Sequence, residues 1–173
     1  MSKINIIKKG ITHFDVDCIV NAANSSLSFG GGVCGAIFQA AGIDELSKAC
    51  GKIGHCNTGD AVITPSFRIT NAKYIIHAVG PVYSYSNKQQ CRDLLYSAYK
   101  RALEVMLEND CLSIAFPLIS SGIYGYPIEE AWRVALKACN SFISQHSDID
   151  ITIYFAVIDD ERYDIGKKII NEC

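Results

Sequence analysis

The sequence has no strong excess of charge of either sign. Sixteen Lys and Arg residues stand against 18 Asp and Glu residues, which gives a formal net charge of -2 at pH 7. Nucleic-acid-binding domains usually carry a clear excess of Lys and Arg on one face, so we expect no nucleic-acid partner. A local anion site remains compatible with this balance, because backbone N–H groups can hold a phosphate without a basic side chain.

Long apolar runs are also missing. No stretch reaches the roughly 18 apolar residues that span a bilayer. Residues 1–9 alternate apolar residues with Lys and do not form the apolar core of a signal peptide. We therefore expect a soluble cytoplasmic protein with no membrane partner, and we expect it to be a monomer.

Patterns that hold metals are scarce. The eight cysteines are scattered with no Cys-x-x-Cys pair, and none of the four histidines lies at the spacing of a zinc site. We predict no metal site and no cofactor. Most of the cysteines are expected to be small buried hydrophobic residues in a reducing compartment.

The sequence does contain enough apolar residues for a globular core, since 49% of its 173 residues are hydrophobic. Apolar runs predict buried strands at Lys3–Ile7, Cys18–Asn21, Tyr74–Val79, Ser113–Leu118 and Ile151–Val157. Helical patterns cover Gly35–Ala41, Ile43–Ile53, Asp93–Asn109, Ile128–Gln145 and Glu161–Asn171. Strands that alternate with helices predict an α/β fold with a largely parallel sheet covered on both faces. No linker or repeat divides the chain, so residues 1–173 are predicted to form one domain.

Two glycine-rich segments follow predicted strands. In open α/β sheets, ligands bind outside the carboxyl ends of the strands. The first segment has Asn21 and Asn24 near the strand end and then Gly30, Gly31 and Gly32 before a helix. Three glycines there let the backbone approach a ligand and direct N–H groups at an anion. An isolated glycine run is more often a flexible surface loop, but the two asparagine amides at the strand end suit recognition of hydroxyl groups and ribose.

The second segment repeats this arrangement with Ser120, Ser121, Gly122 and Gly125, followed by a helix that begins after Pro127. Two anion-binding loops across one crevice suit a diphosphate better than a single phosphate. Tyr124 and Tyr126 lie in this loop, and simple aromatic packing is the alternative to a ligand contact.

These residues resemble a known family. Residues 17–24 (Asp-Cys-Ile-Val-Asn-Ala-Ala-Asn), Gly30–Val33, Gly35–Ile37, Ala40–Gly42, Thr58–Gly59, Ala61–Thr64, Ile76–Tyr83, Ala115–Pro117 and Ser120–Pro127 match the motifs of macrodomains of the bacterial MacroD type. The matches run in order over nearly the whole chain. Proteins of that type are described as O-acetyl-ADP-ribose deacetylases and mono-ADP-ribosyl hydrolases.

The resemblance implies a three-layer α/β/α fold with a mixed, mostly parallel sheet, and ADP-ribose or a derivative (O-acetyl-ADP-ribose, an ADP-ribosylated protein) as the partner. Asn24 would contact the distal ribose, the Gly30–Val33 loop would line that ribose and the diphosphate, and Ser121–Tyr126 would close over the diphosphate with Tyr126 against the ribose. His77 is expected to be a core residue. The full set of expected ligand contacts is Gly10, Ile11, Asn21, Ala23, Asn24, Gly30, Gly31, Gly32, Val33, Cys34, Ser120, Ser121, Gly122, Ile123, Tyr124, Gly125, Tyr126 and Ile158.

The chain departs from the family pattern on the adenine side. The carboxylate that usually accepts from the adenine amino group is replaced by Gly10, and the aromatic residue that often stacks on adenine is replaced by Ile158. A lost charge-assisted hydrogen bond and a lost stacking partner each cost roughly 1 to 3 kcal/mol. Asp159 or Asp160 is a possible replacement acceptor.

A third departure concerns catalysis. The aspartate thought to activate water in the related hydrolases is Cys34 here, and the histidine that follows it is Phe38. Asn24 and Cys34 are the catalytic candidates, and a helix N-terminus can lower a cysteine pKa. Cys34 can equally line the ribose or simply pack. Three hypotheses follow: a hydrolase of ADP-ribosyl or O-acetyl-ADP-ribose esters, a non-catalytic reader, and a site retuned to another nucleotide.

Overall fold

The computed structural model describes residues 1–172, and Cys173 lies outside the described residues. Six strands and five α-helices follow one another along the chain. The strands are β1 (Lys3–Lys8), β2 (Cys18–Ala22), β3 (Ala61–Pro65), β4 (Tyr74–Ala78), β5 (Ser113–Phe116) and β6 (Thr152–Val157). The helices are α1 (Gly32–Ala41), α2 (Ile43–Ile53), α3 (Lys88–Glu108), α4 (Ile128–Gln145) and α5 (Asp160–Glu172).

The strands form one sheet in the order β1-β6-β5-β2-β4-β3. Every neighbouring pair is parallel except β3 with β4, which is antiparallel. This confirms the predicted mixed, mostly parallel sheet. Because the five parallel strands all end at the same edge, the segments that follow β1, β2, β4, β5 and β6 meet there.

Helices cover both faces of the sheet, as predicted. Alternate residues of β6 show the division: Ile153 and Phe155 pack into one buried cluster, and Tyr154 and Ala156 into the other. The first cluster lies under α3, α4 and α5, and the second lies under α1 and α2. In residues 1–172, no helix combines the length and the apolar character needed to cross a membrane.

The structure corrects several predicted bounds. Strand β3 was not predicted, because its five residues at the sheet edge are only partly buried and end in a proline. Helix α3 begins at Lys88 and not at Asp93, since its first turn is polar and exposed and carries no apolar periodicity. Helix α1 begins at Gly32 and not at Gly35.

Candidate functional site

Asn24 follows β2 and is held inside a tight turn. Its side-chain oxygen accepts hydrogen bonds from the Ser28 N–H at 3.0 Å and from the Ser26 hydroxyl at 2.9 Å. Its amide nitrogen donates to the Ser28 carbonyl at 3.1 Å. An asparagine amide has two N–H donors, so one remains for a ligand. The turn therefore orients Asn24 and leaves it one group with which to bind.

The glycine run after this turn leads directly into α1. Gly31 is the N-cap in an extended conformation, with no side-chain hydrogen bond to cap the helix. The first N–H groups of a helix have no intrahelical acceptor, so those of α1 remain directed at whatever lies in front of it. A Cβ atom added at Gly31 or Gly32 would meet nothing within 4 Å, which shows an open approach. Gly35 is needed for close packing, because a Cβ there would lie 2.7 Å from the Gly30 carbonyl oxygen.

Cys34 lies in the first turn of α1 and is 7% exposed. Its sulfur accepts from the Asn21 amide at 3.7 Å, and its thiol donates to the Ser28 carbonyl at 3.7 Å. Burial raises the pKa of the Cys34 thiol and outweighs the hydrogen bonds from Asn21 and from the Gly30 backbone, which lower it. This direction is opposite to the one that a helix N-terminus alone produces. Cys34 is therefore a neutral thiol at neutral pH.

A buried polar chain lies beneath Cys34. The Asn21 amide donates to Nδ1 of His77 at 3.1 Å, and Nε2 of His77 lies 2.9 Å from the Thr64 hydroxyl. Burial lowers the pKa of His77 to about 4, so its imidazole is neutral. With Asn21 as donor to Nδ1, the ring proton sits on Nε2 and is donated to Thr64. The prediction that His77 is a satisfied core histidine is confirmed, and Asn21 links it to Cys34.

The second glycine-rich loop closes on itself. The Tyr126 N–H donates to the Ser120 carbonyl at 2.9 Å, and the Gly125 N–H donates to the Gly122 carbonyl at 3.0 Å. Among residues 1–172, the N–H groups of Gly122, Ile123 and Tyr124 donate to no acceptor. Three consecutive unpaired N–H groups on an exposed turn suit an anionic ligand.

Gly80, which sequence reasoning did not single out, allows this loop to lie where it does. A Cβ atom at Gly80 would lie 2.2 Å from the Ser120 hydroxyl oxygen, so the end of β4 can approach the loop only with glycine there. Ser120 itself has a φ of 68°, in the left-handed region. Within the described residues its hydroxyl is buried and has no hydrogen-bond partner.

The two tyrosines of the loop have different environments. Tyr126 is 4% exposed and packs edge-on against Tyr83, with 4.8 Å between the ring centroids. It belongs to the core under α3, α4 and α5 and also lines a cavity of about 690 Å³ formed by residues of α3 and α4. Little of the Tyr126 ring is therefore exposed for the contact with the ribose that the resemblance implies. Tyr124 is the partly exposed aromatic residue of the loop, beside Ile123, which is 93% exposed.

The two carboxylates proposed to replace the missing one on the predicted adenine side already have partners. Asp159 accepts from the Arg162 backbone N–H at 3.0 Å and from its guanidinium at 3.1 Å, and Asp160 forms an ion pair with Lys8. Burial pushes the pKa of Asp159 upward, but the Arg162 hydrogen bonds prevail and hold this pKa below its usual value. Both candidate replacement acceptors are thus already engaged. Ile158 is 78% exposed and Ile11 is buried.

Arg162 was missed by the sequence analysis. Its Nη2 donates to the Ser121 carbonyl at 2.7 Å, and its Nε donates to the Ser121 hydroxyl at 3.1 Å. The only sequence signal is an arginine three residues after an aspartate at the start of a helix, which is typical of many helix termini. No group of three or more metal-ligating side chains occurs within residues 1–172.

Comparison with known proteins places the chain in a family. A sequence model of the Macro domain matches residues 20–135. An O-acetyl-ADP-ribose deacetylase of Salmonella typhimurium is 42% identical over 175 residues, which cover 99% of this chain and 96% of that protein. The chain belongs to the macrodomain family. The ADP-ribose glycohydrolase MACROD2 of Xenopus laevis is also 42% identical, over 98% of this macrodomain and 40% of the longer relative.

Solved macrodomain structures share the fold. The Oceanobacillus iheyensis macrodomain with ADP has a TM-score of 0.91 and 35% identity, covering 99% of this chain and 91% of that one. A mutant of the same protein with ADPR has a TM-score of 0.92 and 34% identity, covering 99% and 93%. The three-layer fold expected from the resemblance is therefore confirmed.

Proposed function

We propose that residues 1–173 act as one macrodomain that binds ADP-ribose or a derivative at the carboxyl ends of β2 and β5. The observation that carries this proposal is the pair of loops with unpaired backbone N–H groups, one at the start of α1 and one at Gly122–Tyr124. Because β2 and β5 are neighbouring strands, the two loops leave the sheet side by side. Backbone donors suit a diphosphate in a protein without a basic surface excess.

The remaining contacts follow from the positions of the predicted residues. The free N–H of Asn24 is assigned to the distal ribose, and Tyr124 takes the aromatic contact first expected of Tyr126. Gly30–Val33 and Ser121–Tyr124 are assigned to the diphosphate. Gly10, Ile11 and Ile158 are assigned to the base. Relatives that are named for ADP-ribose chemistry, or solved with ADP or ADPR, support this assignment. We further propose a cytoplasmic monomer. The balanced net charge supports the proposal that it has no nucleic-acid partner.

A charge placed in the second loop tests the binding site. A Cβ atom at Gly122 meets nothing within 4 Å, so Gly122→Glu should fold normally and should abolish ADP-ribose binding through steric block and charge repulsion. Gly51→Glu is the matched control, because Gly51 in α2 is also open and exposed and the change in net charge is the same. Isothermal titration calorimetry with ADP-ribose measures the affinity of all three proteins.

Three results would contradict the proposal in different ways. Unchanged affinity in a folded Gly122→Glu variant would show that the phosphates bind elsewhere. Equal losses in Gly122→Glu and Gly51→Glu would point to net charge and not to a local site. A folded parent protein that does not bind ADP-ribose would favour a site retuned to another nucleotide, which the lost partners at Gly10 and Ile158 support.

Ester hydrolysis is the second candidate function. It is favoured by the O-acetyl-ADP-ribose deacetylase that is 42% identical to this chain, and by the fixed orientation of Asn24 beside the glycine loop. The neutral thiol of Cys34 argues against a carboxylate-type base and favours a reader that binds without turnover. A product assay with O-acetyl-ADP-ribose on the parent protein separates the two, since a reader binds this compound and returns it intact.

A further inference from the structure

We infer that Arg162 is a positioning residue for the diphosphate loop, holding Ser121 so that the N–H groups of Gly122–Tyr124 face the ligand. This inference rests on the proposed function for its ligand. The guanidinium contacts both the carbonyl and the hydroxyl of Ser121, at 2.7 and 3.1 Å. Ser121 immediately precedes the three unpaired N–H groups, so its orientation sets where they point.

The backbone of Arg162 is held at both of its polar groups. Its N–H donates to the Asp159 carboxylate, and its carbonyl accepts from the indole N–H of Trp132, each at 3.0 Å. Trp132 is fully buried in α4, and α5 lies so close to it that a Cβ at Gly166 would be 2.6 Å from the indole ring. The backbone of Arg162 is therefore held rigidly, which is required if its side chain is to position another group.

The loop has few other attachments to the rest of the molecule. Within the described residues, hydrogen bonds from distant parts of the chain reach residues 121–125 at two points only. One is Arg162 on Ser121, and the other is the Tyr83 N–H, which donates to the Tyr124 carbonyl at 2.8 Å. The remaining backbone bonds of the loop are local. Without the Arg162 guanidinium, Ser121 at the start of the turn loses its hydrogen bonds to a distant part of the chain.

The geometry assigns the role to the shape of the guanidinium and not to its charge alone. One nitrogen, Nη1, donates to Asp159 at 3.1 Å, which offsets much of the positive charge locally. The other two donors form a fork on Ser121, with about one quarter of the side chain exposed. Lysine presents a single ammonium group and cannot hold Asp159 and both Ser121 oxygens in this planar arrangement.

The test compares Arg162→Met and Arg162→Lys with Arg68→Met, which removes another arginine that makes two hydrogen bonds, to Glu45, away from the loops. Backbone ¹⁵N order parameters are measured without ligand, and ADP-ribose affinity is measured by calorimetry. We expect both Arg162 variants to lower the order parameters of Gly122–Tyr124 and to leave those of Gly30–Gly32 unchanged. Both should weaken ADP-ribose binding by roughly tenfold, because the loop must then be ordered during binding. Arg68→Met should match the parent in every measurement.

Specific results would overturn the inference. Parent-like affinity in Arg162→Lys would assign the effect to charge. Unchanged order parameters at Gly122–Tyr124, or an equal drop at Gly30–Gly32, would remove the positioning role. A parent protein that binds no ADP-ribose would refute the proposed function alone, and the order parameters would still decide whether Arg162 fixes the loop.

Discussion

At the scale of single residues, the chemistry of the candidate site depends on the position of Cys34 and on the protonation state of its thiol. Cys34 lies where the related hydrolases carry an aspartate, but its thiol is neutral and bonded to Asn21 and Ser28. Phe38, which replaces the family histidine, is fully buried and packs edge-on against the half-exposed Phe29 at 5.6 Å. Among the described residues, Cys34 forms hydrogen bonds with Asn21 and Ser28, and neither residue offers a general base.

Cys34→Asp tests whether this framework can still support hydrolysis. A carboxylate is ionised at neutral pH and can accept a proton from water, so we expect turnover of O-acetyl-ADP-ribose to rise by about 100-fold over the parent. Cys34→Asn is the control of equal size without charge and should stay near the parent rate. Iodoacetamide should not alkylate Cys34 in the parent protein at neutral pH, because only the thiolate form of a cysteine is nucleophilic. Rapid hydrolysis by the parent, or an equal gain in Cys34→Asn, would contradict this reasoning.

The location of the candidate site was predicted from the sequence because glycines, asparagines and serines after strands reflect local backbone demands. What could not be read depends on tertiary packing. The pKa of Cys34 follows from burial by distant elements. The burial of Tyr126 follows in part from its contact with Tyr83, which lies about 40 residues away in the chain. Arg162 acts on Ser121 across 41 positions, and no local pattern marks that pair.

At the scale of elements, the contact between α4 and α5 supports one wall of the proposed site. Gly166 of α5 faces Trp132 of α4, and Arg162 lies one helical turn earlier on α5. The sequence predicted both helices, the first of them from Pro127 at its start. It did not predict how closely they pack, and it missed β3, because a short, half-buried edge strand has no clear alternation.

Gly166→Ala tests this contact. The added methyl group would lie 2.6 Å from a rigid, buried indole ring, so α5 must shift, and we expect a loss of about 1 to 3 kcal/mol in the free energy of unfolding. ADP-ribose affinity should also fall, since the shift moves Arg162. Gly51→Ala in the exposed face of α2 is the control and should stabilise by about 0.5 to 1 kcal/mol. Urea denaturation measures the free energy of unfolding of both variants. A Gly166→Ala protein as stable as Gly51→Ala would show that the contact between α4 and α5 leaves space for a methyl group at position 166.

At the scale of the whole molecule, the sheet buries a histidine that folding must keep neutral. His77 is fully buried between Asn21 and Thr64. No carboxylate contacts the ring among residues 1–172, so nothing offsets the cost of charging it. The carboxylates with lowered pKa values, Asp17 and Asp159, already lie below their ordinary range, and their effect on stability appears only in stronger acid. Between pH 7 and pH 5, the change in the free energy of unfolding therefore reports the protonation of His77.

The free energy of unfolding should fall as the pH is lowered from 7 to 5. The pKa of His77 is about 4 in the folded protein and 6.5 in the unfolded chain, so the unfolded state binds more protons throughout this range. Protonation then favours unfolding, and the expected loss between pH 7 and pH 5 is about 2 kcal/mol. Urea denaturation at pH 7, 6 and 5 gives the slope. His77→Gln should make the slope nearly flat over the same range, while His55→Gln, which changes an exposed histidine, should keep the parent slope. Parallel slopes for the parent and His77→Gln would show that the imidazole gains a proton without leaving the fold.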